Sequence, residues 1–84
     1  MNQSGEYIIE YTIPQKSVVT IKIYDILGRE VRTIKEEEQV AWHYNVSFNA
    51  SALASGVYFY RIEAVPLKGR SGNFFQTKKM ILLK

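Results

Sequence analysis

Every second residue from Tyr7 to Ile13 is large and apolar. This period of two limits the fold more than any other feature, because successive side chains of a strand point to opposite faces. Tyr7, Ile9, Tyr11 and Ile13 make one face, with Ile8, Glu10 and Thr12 between them, and Pro14 ends the run by removing a ladder donor. The pattern resumes in VVTIKIY, where Val19, Ile21 and Ile23 share a face, and in HYNVSF, where Tyr44, Val46 and Phe48 do. VYFYRIEAV, ended by Pro66, and the closing FFQTKKMILLK read as two more strands. REVRTIK, Arg29 to Lys35, is less regular: Val31 and Ile34 are an odd number of residues apart and face opposite ways unless a bulge intervenes.

The breaks between these runs carry turn chemistry. DILG, Asp25 to Gly28, predicts a tight hairpin turn with Asp25 bonding the local backbone and Gly28 at positive φ. Glu36, Glu37 and Glu38 with the following QVAW read as a loop, NASALASG as a corner that returns Leu53 to the core, and PLKGRSGN as a polar connection. Six strands with short links and no helical periodicity predict an all-β, immunoglobulin-like antiparallel sandwich of six to seven strands. Within LASGVYFY, Gly56 and Tyr58 stand where such sandwiches place a tyrosine corner, so Tyr58 should hydrogen-bond to upstream backbone. At 84 residues there is material for a single core, expected over residues 7–84 with residues 1–6 a disordered or added start.

Little in the chain points to catalysis. It has one histidine and one aspartate, His43 and Asp25, and the strand order puts them at opposite ends of the sandwich, roughly 20 Å apart, too far for a triad. With no cysteine and one histidine, neither a disulfide nor a thiolate metal site is available, and the adjacent glutamates lack the spacing of a calcium loop. GRSG lacks the spacing of a phosphate loop. No metal, cofactor or small-molecule substrate is therefore expected. The net charge of +3 is concentrated after Glu63, in Lys68, Arg70, Lys78, Lys79 and Lys84, but without the interleaved aromatics of a nucleic-acid surface. The sequons at Asn2, Asn45 and Asn49 are taken as chance, and Trp42 is expected to close the bottom of the core rather than to offer a platform for sugar rings. No run reaches the ~18 apolar residues of a membrane-spanning helix. MNQSGEY lacks a signal-peptide pattern, so the expectation is either a cytoplasmic protein or a fragment with its export signal upstream.

Taken together, YTIPQKSVVTIKIYDILGREV, LASGVYFYRIEA and FFQTKKMILLK resemble the type A C-terminal sorting domain of the type IX secretion system, over residues 7–84. The hook-cap immunoglobulin-like domain of flagella is a related pattern. The resemblance implies a non-catalytic address carried by a larger cargo protein. It implies passage through the periplasm, recognition by the outer-membrane translocon, removal by a sortase-like protease, and delivery to the cell surface or medium. Residue by residue, Gly28 and Val31 match one family segment, Gly56 and Tyr58 a second, and Lys78, Lys79, Met80, Ile81, Leu82, Leu83 and Lys84 the terminal signal. The first two segments have structural work to do, as does Leu53; the terminal one holds more lysine and apolar residues than an edge strand needs, although edge strands do use lysine to block aggregation. The resemblance implies translocon recognition for it, expected here to proceed by strand addition. The family's usual proline- and asparagine-rich opening is missing from MNQSGEY. The alternative is a carbohydrate- or surface-binding accessory module of a secreted enzyme.

Overall fold

The computed structural model describes residues 6–67 and 72–83. It is all-β, with β1 (Glu6–Ile13), β2 (Ser17–Asp25), β3 (Glu30–Gln39), β4 (Trp42–Asn49), β5 (Gly56–Pro66) and β6 (Phe74–Leu82). β1 and β4 form a two-stranded sheet; the others form a four-stranded sheet in the order β3-β2-β5-β6, and all pairings are antiparallel. The expected antiparallel sandwich of six to seven strands is what the chain builds, with six strands among the described residues.

The alternation read from the sequence is the core. Ile9, Tyr11, Ile13 and Phe48 face inward from the smaller sheet, and Val19, Ile21, Ile23, Tyr58, Tyr60, Ile62, Ala64, Met80 and Leu82 from the larger, all buried. Ala50 and Leu53 close it at the corner after β4, where the Leu53 N–H donates to the Ala50 carbonyl at 3.0 Å. Among the described residues the buried polar side chains are satisfied: the Tyr11 hydroxyl donates to Gln39 Oε1 at 2.7 Å, Gln39 Nε2 donates to Glu37, and the Ser17 hydroxyl donates to the Gln15 carbonyl. Burial pushes the Tyr11 hydroxyl above its ordinary pKa, against the opposing effect of its bond to Gln39.

Two expectations fail here. The acidic run is not a loop: Glu36, Glu37 and Glu38 belong to β3, opposite Thr20, Val19 and Val18 of β2, so only Val40 and Ala41 connect β3 to β4. Glutamate has low strand propensity, but pairing with the central strand β2 overrides it, and alternation sends the three carboxylates to two faces. Trp42 does not close the core either; it is 69% exposed, although its partner Ile13 is buried. Phe48, Ala50 and Leu53 fill the other end of that sheet, and Ile13 already caps this one.

The irregularity expected in the third strand resolves into two register shifts of β3 against β2, one passing Ile34 between Lys35 and Thr33, the other passing Val31 between Arg32 and Glu30. Each leaves one extra residue on β3. Ile34 packs on the core, whereas Val31 is exposed.

Candidate recognition surface

The two ends of the sandwich differ in what they hold, and the residues singled out in the sequence cluster at one of them. Asp25 of β2, Tyr58 of β5 and Met80 of β6 lie side by side, and Gly56 pairs with Leu82. The DILG turn, the tyrosine corner and the end of β6 therefore share one end of the larger sheet. His43 pairs with Thr12 near the opposite end, beside the Ile13–Trp42 pair, so Asp25 and His43 are not brought together.

At the turn, Asp25 does most of the ordering. Its Oδ1 accepts from the Leu27 and Arg29 N–H groups at 2.9 Å each, and its Oδ2 accepts from Arg29 Nε at 2.8 Å. These donors, the Arg29 backbone N–H first among them, hold the carboxyl below its usual pKa. The Gly28 N–H donates to the Asp25 carbonyl at 2.9 Å with φ at 82°, the left-handed conformation that glycine takes without a Cβ clash. Next to the turn, Lys22 Nζ meets Glu30 Oε1 at 3.2 Å, which raises the lysine pKa and lowers that of the glutamate. Ile26 and Leu27, between the ordering residues, are 67% and 74% exposed.

At the corner, the Tyr58 hydroxyl donates to the Ala54 carbonyl at 2.8 Å, four residues upstream. The bond fixes how the chain enters β5, and with it the register in which β5 offers its far edge to β6.

β6 divides the terminal segment between two jobs. Met80 and Leu82 point inward and are 2% and 6% exposed, so they are core residues, and the expectation that the segment lacks structural work is wrong for these two. Their neighbours Ile81 and Leu83 are 55% and 69% exposed. Lys79 and Ile81 point to the outer face, opposite Phe59 and Val57, while Lys78 lies opposite Tyr60 on the inner side and is exposed at the sheet's edge. Lys84 lies outside the described residues, as do Lys68 and Arg70. Among the described residues no other strand pairs with the outer edge of β6.

Elsewhere the surface offers polar groups without a built site. A shallow depression on the outer face of the larger sheet is lined by Thr20, Lys22, Tyr24, Glu36, Arg61 and Glu63, with Arg61 stacked on the Phe75 ring at 4.9 Å. On the smaller sheet, His43 contacts Thr12 through Nδ1 at 2.8 Å and Glu10 through Nε2 at 3.5 Å. Sequence reasoning missed Glu10 as a partner for His43, although two-residue spacing puts Glu10 and Thr12 on one face. All three groups are exposed, and such a contact is a weak cross-strand interaction. Among the described residues no group of three or more histidine, cysteine or acidic side chains is arranged to hold a metal.

No curated protein and no solved structure matches the chain. One family model does, over residues 3–82, and it takes in the turn, the corner and β6 in the order the fold places them. With nearly the whole chain matched, the protein belongs to the family of secretion-system C-terminal sorting domains, the sorting signal of type IX secretion.

Proposed function

We propose that this domain directs a larger cargo protein across the outer membrane to the cell surface or medium, and that it does so without chemistry of its own. The observation that supports the reading best is the outer edge of β6, where Met80 and Leu82 anchor the strand while Lys78, Lys79, Ile81 and Leu83 remain on the surface. A strand held from one side, with its other edge unpaired among the described residues and its last three residues, Met80 to Leu82, uncharged, is suited to strand addition by a translocon component in the periplasm. Lys84 continues the same segment. The cargo is the upstream part of the same polypeptide, and the sortase-like protease acts after export.

The test is to place a signal peptide and a fluorescent reporter ahead of the domain. The reporter is then located in a type IX-competent bacterium and in its translocon mutant. Surface or medium fluorescence that needs the translocon is the expected result. Export that is unchanged after deletion of residues 80–84, with the remaining domain still folded, would remove the role given to β6.

The exposure of Trp42 supports a second reading, a carbohydrate-binding accessory module, because an indole freed from the core is available to stack on a sugar ring. That reading requires affinity for a polysaccharide that Trp42→Ala abolishes. Retention of the reporter in the periplasm would be its other sign.

A further inference from the structure

Two stretches that are far apart in the sequence leave apolar side chains exposed at the same end of the larger sheet. One is the β2–β3 turn, with Ile26 and Leu27; the other is the end of β6, with Ile81 and Leu83. Register places them. On the outer face Tyr24 of β2, Phe59 of β5 and Lys79 of β6 form one row, and Val57 and Ile81 form the next, beyond which β2 runs into the turn at Ile26. Only β5 separates β2 from β6, so the turn and the terminal strand are about two strand spacings, roughly 10 Å, apart, with Val57 and Phe59 bridging the gap. Scattered exposed apolar residues are normal on a soluble protein; exposed apolar residues that register gathers at one end of a sheet, on either side of the half-buried Val57 and Phe59, are what an interaction surface requires.

Neither Ile26 nor Leu27 is needed to make the turn. Asp25 and Gly28 order it, and Leu27 contributes through its backbone N–H, which any residue but proline supplies. The charges at this end are also unevenly matched. Asp25 is taken by Arg29 and Glu30 by Lys22, whereas Lys78 and Lys79 meet no carboxylate among the described residues. An occupant must therefore be apolar at its centre and bring acids to the side where the lysines stand.

The geometry points to a composite docking face, in which the partner that engages β6 also covers the Ile26–Leu27 tip. That partner is a protein surface with an apolar centre and an acidic rim. This inference rests on the reading of β6 given above. It goes further in requiring a partner broader than a single added strand, since a strand paired to the outer edge of β6 would lie more than two strand spacings from the tip.

The experiment uses the same reporter fusion in the type IX-competent bacterium, with three pairs of substitutions. Ile26→Ser with Leu27→Ser should reduce exported reporter by about tenfold or more, the loss expected when an interface anchor is removed, with the melting temperature unchanged. Ile26→Leu with Leu27→Ile should restore export, because the role needs apolar surface rather than a particular shape. Ile81→Ser with Leu83→Ser should fail as the first pair does. Normal export by the first pair alongside failure of the third would overturn the composite face and leave the reading of β6 standing. Normal export by both pairs would overturn both. The purified domain is also mixed with phosphatidylcholine vesicles with and without phosphatidylglycerol. Absence of binding is expected, and binding that is lost with the Ile26 and Leu27 substitutions would assign the tip to a lipid surface and overturn the protein partner.

Discussion

The larger sheet has two edges, and they are defended in different ways. β3 is ten residues long, carries Glu30, Arg32, Lys35, Glu36, Glu37 and Glu38, and breaks register with β2 twice. Charges and bulges are two of the devices that keep an edge strand from recruiting another chain. β6 pairs with β5 from Phe74 to Leu82 without a register shift, and its charges stop at Lys79. The last three residues of the strand are uncharged, and the middle one, Ile81, is exposed. Within one sheet the chain has closed one edge along its length and left the other undefended toward its end. An undefended edge risks aggregation, and the partner proposed above would cover it.

The comparison can be broken most directly at β6 itself. If its two faces do different work, Met80→Ala should lower stability by about 2–5 kcal/mol, as buried methionine truncations do, while Ile81→Ala should stay within about 0.5 kcal/mol. Urea unfolding of the two variants decides this, and equal losses would mean that β6 has no free face. A smaller effect is expected one strand inward. Tyr58→Phe removes the bond to Ala54 and should cost about 1 kcal/mol, with amide exchange at Gly56 to Tyr58 and their β6 partners rising more than in β3.

Acid should act on β3 before β6. Asp25 and Glu30 are held below their ordinary values of 3.8 and 4.5 by their partners. A carboxyl depressed in the folded state stabilises the fold at pH above its unfolded value, and that contribution is lost as the pH falls through the ordinary range toward the folded value. Phe74 to Leu83 contains no carboxylate. Between pH 5 and 3, hydrogen exchange should therefore rise around the β2–β3 turn first, and Asp25→Asn should flatten that dependence; simultaneous loosening of β6 would remove the distinction. The smallest effect is on self-association. Lys78→Val with Lys79→Val should produce concentration-dependent light scattering, while Glu36→Val with Glu38→Val should not, because the bulges of β3 remain.

Much of this was legible from local pattern. The alternation in β1, β2 and β4 named the core side chains, because the strand period is two whatever the tertiary context. DILG and LASGVY named a turn and a corner, because Asp25, Gly28 and Tyr58 act on backbone within four residues of themselves. The failures came where a partner strand decided. Three glutamates in a row argue for a loop until β2 pairs with them, and Trp42 argues for a core position until Ile13 is found to have filled it. The lysine and apolar run of β6 could not be divided into anchor and surface before β5 supplied its register.

The sequence by itself determined that the chain is β throughout, where it turns, and which faces of its regular strands are buried, since these follow from the chemistry of neighbouring residues. Only the tertiary structure decided that Ile26 and Leu27 share an end of the sheet with Ile81 and Leu83, and that β3 is the guarded edge and β6 the open one. Strand order is set by contacts between residues distant in sequence. No local period encodes which strand becomes an edge.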